Sequence, residues 1–499
     1  MFLFVCIRAN SCHSWLSFLQ THKMRRTKIV ATLGPASRDL ETLKKMIAAG
    51  VDVVRINFSH GSSEEHLAHA ELARSAAKEV NRTVGVLADL QGPKIRVGKF
   101  EHGKVTLAAG DAFIFDANCK LGNQGRVGLD YKELPNDVEA GAVLLLDDGR
   151  IMMTVTKVVG QEIFCVVDQG GVLSNNKGIN RKGGGLTAPA LTDKDIRDIK
   201  IAAEMKADYL AVSFPRSGED MHLARKLMHE AGGKSLLMAK IERSEAIPAL
   251  LDILDASDAI MVARGDLAVE VGDAVVPALQ KRMIRAARAA NKLVVTATQM
   301  MESMITSPIP TRAEVSDVAN AVLDGTDAVM LSAETAAGSF PVETVSAMAR
   351  VCLEAEKEYL ASEELQRAGE IPATVEEAIA RATMFTAKNL KIRAIAALTQ
   401  SGATALLMSR RSSNVPIFAL SPKQGTLTKV TLFRGVYPVK FQVTRGDAET
   451  TLNQAEDELL KSGVVRDGDL IAMTIGEPIG KAGGTNTMKI VKVGEYKKA

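Results

Sequence analysis

A single unit repeats along this chain and narrows the folds open to it. From Thr27 onward a short apolar run gives way to a polar or charged residue, and an amphipathic helical pattern follows. The runs cover 28–31, 53–56, 84–88, 210–212, 236–239, 259–263, 293–297 and 328–331, eight in all. They end at Thr32, Asn57, Asp89, Ser213, Lys240 with Glu242, Asp266, Thr298 with Gln299, and Ser332 with Glu334. Helical patterns lie between them at 40–49, 64–79, 193–205, 219–231, 275–290 and 311–323. Eight alternating units predict an α/β fold, a (β/α)8 barrel with its active site at the C-terminal ends of the strands. An open doubly wound sheet competes. Its ligands gather at one switch point, whereas polar residues here stand at nearly every strand end.

Most units succeed one another within about 25–40 residues, but the gap between Ala88 and Leu210 is far longer. Short β-like runs at 105–107, 113–115, 143–146, 152–159 and 163–167 predict an inserted, barrel-like β-rich domain over 93–188. Hung over the active face, it is placed to close as a lid, with Gly92-Pro93 as the hinge. After Val351 the pattern changes to a charged helical stretch at 354–369. A second α/β rhythm then begins, with strands at 394–398, 417–420, 436–439 and 470–474 and helices at 375–390, 403–410 and 448–462. The expected division is a barrel over 24–92 and 189–358, the insert, and a C-terminal α/β domain over 359–495. Residues 1–23 break the pattern and read as a disordered or spurious extension, with Met24 as the start. A transit peptide is the alternative; Arg8 and Asn10 interrupt any secretory signal.

Composition excludes several function classes. A net charge of +3 over 499 residues argues against a nucleic-acid or membrane-surface footprint. Aromatics at 4% leave little for base stacking. The cysteines Cys6, Cys12, Cys119, Cys165 and Cys352 form no CxxC pair, which fits neither a zinc site nor a disulfide framework and suits a reducing cytoplasm. No stretch reaches the roughly 18 apolar residues of a membrane span.

The densest chemistry lies between Leu236 and Asp266. Alternation in an extended chain puts Lys240 and Glu242 on one side, and Asp266 arrives from the next strand end. Two carboxylates with water hold Mg²⁺ and leave room for substrate phosphate, and a neighbouring Lys suits a phosphoryl group in transfer. A structural ion pair beside a capping Asp would look the same in sequence. After the second strand, Arg55 offers a fork of donors for a phosphoryl group, with Asn57, Ser59 and His60 following. Asp89 with Asn57 and Ser59 would give oxygen ligands for a cation. Gly265 before a helix lets backbone N–H groups approach a carboxylate. Lys177 and the glycines at 183–185 close the insert; a glycine run by itself says little about nucleotides. In the C-terminal domain, Thr399, Ser401, Gly402 and Thr404 cluster where a strand meets a helix, an anion site or a plain N-cap.

The segments TKIVATLGPAS, VVRINFSHGS, DLQGPKIRVG, LLMAKIERSEAI, MVARGDLAVE, TATQMMESMI, PTRAEVSDVANAV and MLSAETAAG together resemble the pyruvate kinase family, over nearly all of 25–493. The resemblance implies a barrel, a β-domain lid and a C-terminal effector domain in a homotetramer. It implies Mg²⁺ on Glu242 and Asp266, and phosphoryl transfer from phosphoenolpyruvate to ADP past Lys240 and Arg55, leaving pyruvate and ATP. It implies that Gly265, Asp266 and Thr298 hold the substrate carboxylate. His60, Arg96 and Lys177 would meet the nucleotide. The enolate's proton would come from Thr298 or from a water on Ser332 and Glu334.

Two departures from the family matter. Its potassium site matches Asn57, Ser59 and Asp89 but has Thr where Leu90 stands, and potassium-dependent members carry Glu in place of Lys94. The Lys94 ammonium is therefore expected to supply the charge of K⁺ and to remove the potassium requirement. Ala403 stands where some members have Arg, which leaves a sugar phosphate and a nucleotide monophosphate both open as effector. The rivals are a Mg²⁺-dependent carbon–carbon lyase acting on pyruvate-like acids and a scaffold without catalysis. The first needs no nucleotide-binding insert, and the second would not be expected to keep Arg55, Lys240, Glu242, Asp266 and Thr298 together.

Overall fold

The computed structural model describes residues 24–362, 372–411, 413–442, 447–480 and 483–495. The extension over 1–23 and residues 363–369 of the stretch expected to be helical lie outside the described residues.

Eight parallel strands close a barrel: β1 Lys28–Thr32, β2 Val53–Asn57, β3 Gly85–Asp89, β4 Tyr209–Val212, β5 Leu236–Ile241, β6 Ala259–Ala263, β7 Leu293–Ala297 and β8 Ala328–Leu331. Registers run in sequence order around the ring, and β1 closes on β8 through pairs such as Lys28 with Ala328. The strands are almost wholly buried, as expected of a parallel sheet covered by helices on its outer face. Capping boxes start the helices Ser63–Glu79, Asp193–Glu204 and Arg312–Leu323, where Ser62, Thr192 and Thr311 each accept from the amide three residues on. The helix Pro341–Ser362 covers the last unit. Its N-terminal part falls in a stretch to which the sequence reading assigned no element.

The insert leaves after β3. Its strands make one six-stranded sheet and one pair, Lys104–Leu107 with Gly171–Ser174, rather than a closed barrel. The pair forms because Gly170, with Leu107 O 2.2 Å from where a Cβ would sit, lets the backbones come together. The C-terminal sheet runs Val436–Lys440, Ile417–Ser421, Ala394–Leu398, Leu470–Gly476, then Thr485–Lys492 as an antiparallel edge that the sequence reading missed. Thr485–Lys492 has one buried residue, the rest being exposed or half-exposed, and reads as a polar tail by pattern.

The C-terminal domain seals the bottom of the barrel. Val30, Val53, Leu87, Tyr209, Met238 and Val295 from inside the barrel form one core with Met384, Ile395, Leu432 and Phe433. Only the opposite, C-terminal mouth is free for chemistry.

Candidate active site

The strand ends converge there. Lys240, last but one in β5, places Nζ 2.9 Å from Glu242 Oε1, 3.3 Å from Asp89 Oδ1 and 2.7 Å from Ser213 Oγ. Alternation had put Lys240 and Glu242 on one side, and the structure does so. Arg55, from the middle of β2, sets Nε 2.6 Å from Asp89 Oδ2 and donates to Thr32 Oγ1 at 3.0 Å. Asp89 is fully buried, and its Oδ1 has no hydrogen-bond partner among the described residues. That oxygen faces the Lys240 ammonium without a hydrogen bond of good geometry, which leaves it able to turn to a cation beside it.

The electrostatics follow from packing. Burial pushes the Glu242 carboxyl up to about 7, with Asp266 adding to the rise and Lys240 opposing it. Burial also works to lower Lys240, but Asp89 and Glu242 outweigh it and hold the ammonium above its usual range. Asp89 stays below the usual carboxylate range: burial opposes this, and Lys240 and Arg55 overcome it.

Lys94 meets the carboxylates from the insert side. Its Nζ lies 2.9 Å from Asp266 Oδ1 and 3.6 Å from Asp148 Oδ1. Its direct partner is therefore Asp266, on the helix Arg264–Val271, and not Asp89. Asn57 Oδ1 accepts from the Ser59 amide at 3.1 Å, and no hydrogen bond joins either residue to Asp89 among the described residues. Three cations, Arg55, Lys94 and Lys240, thus face three carboxylates, Asp89, Glu242 and Asp266. Among the described residues no group of three or more His, Cys, Asp or Glu side chains forms a ready metal cage. Glu242 and Asp266 fit a hard divalent ion that completes its shell with water and substrate oxygens.

Thr298 follows β7 with φ of +69°, in the left-handed region that a β-branched residue rarely enters. Its Oγ1 accepts the Gly265 amide at 2.8 Å and donates to Ala297 O at 2.6 Å. The Gly265 amide expected to face a carboxylate is thus held by Thr298, so the two form one unit. Arg264 fixes that loop, donating to Thr298 O at 2.6 Å and pairing with Asp317 at 2.7 Å. The sequence reading gave Arg264 no role, because its partners lie 33 to 53 residues away. Ser332 N donates to Glu334 Oε2 at 2.6 Å, and burial raises the Glu334 carboxyl.

On the insert, Arg96 and Lys177 stand side by side: Arg96 bridges to Gly178, and Val97 N donates to Lys177 O at 2.9 Å. Lys177 Nζ pairs with Asp147 at 2.6 Å and Arg96 donates to Asn176 O at 3.0 Å. His60 is exposed on the turn after β2. The glycines at 183–185 have φ of +81°, +80° and +90°. A Cβ at Gly184 would lie 2.1 Å from Ser244 Oγ, so these glycines let the insert lie against the barrel.

A separate cleft of ≈ 540 Å³, counting the solvent at its mouth, opens in the C-terminal domain around Thr399, Ser401, Ala403, Thr404 and Thr485. Thr399 Oγ1 accepts from the Gly402 amide at 2.9 Å, and Thr404 Oγ1 lies 2.7 Å from Thr485 Oγ1. Of the three hydroxyls, only that of Ser401 is exposed. No Lys or Arg lines the cleft among the described residues.

The family model "Pyruvate kinase, barrel domain" matches residues 24–345, and "Pyruvate kinase, alpha/beta domain" matches 377–491. Pyruvate kinase II of Salmonella typhimurium is 53% identical over 479 residues, 95% of this chain and 100% of that protein. Pyruvate kinase of Haemophilus influenzae is 52% identical over 462 residues, 91% of this chain and 96% of that protein. Pyruvate kinase of Methylorubrum extorquens is 42% identical over 474 residues, 94% and 98% of the two chains. A closed barrel with opposed charges at one mouth, matched over nearly its whole length to these enzymes, establishes that the chain belongs to the pyruvate kinase family of phosphotransferases.

Proposed function

We propose that the mouth formed by Arg55, Asp89, Lys240, Glu242 and Asp266 transfers the phosphoryl group of phosphoenolpyruvate to ADP, giving pyruvate and ATP. The observation carrying this is that Lys240 and Arg55 converge on one buried carboxylate beside Glu242. As the bond to the enolate oxygen breaks and the bond to ADP forms, Lys240 and Arg55 face the equatorial oxygens of the phosphoryl group. Glu242 and Asp266 would hold Mg²⁺, which when bound neutralises charge on the phosphoryl and carboxylate oxygens. Thr298, with Gly265 and Asp266, frames the substrate carboxylate. The enolate carbon must then gain a proton. The Thr298 hydroxyl already donates to Ala297 O, whereas burial favours the acid form of Glu334, which supports a water on Ser332 and Glu334 as the route.

The working division is a barrel over 24–92 and 189–358, a lid over 93–188 carrying Arg96 and Lys177 to the nucleotide near His60, and a C-terminal domain over 359–495. Lys94 already sets an ammonium beside Asp266, which supports activity without K⁺ at the Asn57, Ser59 and Asp89 site. The cleft at Thr399, Ser401, Gly402 and Thr404 would take a phosphorylated effector, a sugar phosphate or a nucleotide monophosphate. A homotetramer in the cytoplasm is the expected form. Among the described residues no helix is long and apolar enough to cross a membrane.

The test is pyruvate formation from phosphoenolpyruvate and ADP with Mg²⁺, in potassium-free buffer and again with KCl. Turnover in both supports the whole reading. Turnover only with KCl keeps the reaction and removes the Lys94 assignment. No turnover in either, with candidate effectors supplied, overturns the proposed reaction.

A further inference from the structure

The helix Arg264–Val271 carries a second carboxylate, Glu270, one turn beyond Asp266 and on the same face. Asp266 holds the limb by which the chain enters the insert, through Lys94 at 2.9 Å. Glu270 holds the limb by which it returns. Its Oε1 accepts from Asn180 Nδ2 at 3.5 Å, its backbone O accepts from Gly183 N at 3.1 Å, and its Oε2 accepts from Ser244 N at 2.8 Å. Ser244 stands two residues after Glu242, so one side chain joins the returning limb to both carboxylate-bearing segments. Nearby contacts extend the clamp: Glu245 accepts from the Gly185 amide, and Arg243 donates to the carbonyls of Leu186 and Ala188 at 3.4 Å. Glu270 and Arg243 are about 95% shielded from solvent, and burial pushes the Glu270 carboxyl up. A buried carboxyl there is costly unless its hydrogen bonds hold, so undocking the limb is opposed.

We propose that Glu270 is a positioning residue for the nucleotide: by fixing the returning limb against the barrel, it sets where Lys177 and Arg96 stand over the active mouth. The inference rests on the reading that Arg96 and Lys177 meet ADP. Lys177 lies three residues before Asn180, so a shift of the limb reaches it directly.

The test is steady-state kinetics with each substrate varied in turn, on Glu270→Ala, Glu270→Gln, Gly184→Ala and, as a control, Lys177→Ala. Glu270→Ala should raise KM for ADP about tenfold and leave KM for phosphoenolpyruvate within about twofold. Glu270→Gln keeps an acceptor for Ser244 N and should recover much of the loss. Gly184→Ala pushes the limb off Ser244 from the other side and should reproduce the ADP effect without touching Glu270. If Glu270→Ala does not fold, Glu270→Gln and Gly184→Ala carry the test. An unchanged KM for ADP, or equal changes for both substrates, overturns the inference. If Lys177→Ala raises KM for ADP while the clamp variants do not, this inference alone fails. If Lys177→Ala has no effect either, the nucleotide reading fails with it.

Discussion

The two mouths of the barrel both bury charge, and they treat it differently. At the bottom four aspartates, three of them buried and Asp258 half-buried, are each tied to the neighbouring strand. Asp52, Asp208, Asp258 and Asp327 each stand just before a strand and accept a backbone N–H of the neighbouring strand, from Ile29, Val86, Leu237 and Val294, at 2.8 to 2.9 Å. Asp327 also pairs with Arg410 of the C-terminal domain, both side chains being fully buried, and Lys28 donates to Val436 O at 2.6 Å. At the top one Asp89 oxygen meets Lys240 as an ion pair at 3.3 Å without a hydrogen bond, Glu242 is pushed toward its acid form, and Lys94 lies across Asp266. Charge at the bottom is spent on holding two domains together. Charge at the top keeps capacity for a ligand. The same fold rule, stability at one end of the strands and chemistry at the other, thus reaches down to individual oxygens.

The comparison can be tested from both ends. The largest effect is expected at the top. Lys240→Met should lower turnover by about ten-thousandfold while phosphoenolpyruvate still binds, since the lost contact is one strengthened in transfer. Near-normal turnover would refute the role given to Lys240.

At the bottom, Asp327→Ala removes the carboxylate that neutralises the buried Arg410 guanidinium, and urea unfolding should show a loss of about 3–5 kcal/mol. The folded enzyme should keep its kcat. A loss of kcat without a loss of stability would erase the distinction between the two mouths.

Lys28 gives a pH signature. Burial lowers its ammonium to about 8, from an ordinary lysine value of 10.5. A cation with a depressed folded value binds fewer protons folded than unfolded between those limits. Its contribution is therefore unfavourable below pH 8 and is relieved as pH rises toward 10.5. Relative to Lys28→Met, the parent should gain up to about 3 kcal/mol of stability across that window. Parallel curves for the two proteins would show that Val436 O and the Tyr437 ring, 4.4 Å from Nζ, already compensate the buried charge.

The smallest effect separates Lys94 from its neighbours. Lys94→Glu should turn a rate that KCl changes less than about twofold into one that KCl raises about tenfold, a difference near 1.4 kcal/mol. An equal response to KCl in both proteins would place the role of Lys94 in lid closure alone.

Several of these features were legible in the sequence for a definite reason. The eight strands, their polar ends and the helices between them repeat with local periods, so neighbours in sequence identify them. Lys240 and Glu242 share a side because a strand alternates. The aspartates before β2, β4, β6 and β8 carry a similar local signal, Val-Asp-Val, Ala-Asp-Tyr, Ser-Asp-Ala and Thr-Asp-Ala. The edge strand Thr485–Lys492 was not readable, since its exposed face follows no apolar alternation.

By itself the sequence determined the order of elements, the barrel and the set of side chains brought to its active mouth, because those depend on period and spacing. Only the tertiary structure decided which charges meet. Lys94 and Asp266 lie 172 residues apart, and Arg410 and Asp327 lie 83 apart. Those pairings depend on how the insert and the C-terminal domain dock, and on which groups lose water when they do. The Gly265 amide shows the same limit. Its partner is Thr298 Oγ1 because β6 and β7 end side by side, a closeness that no local pattern encodes.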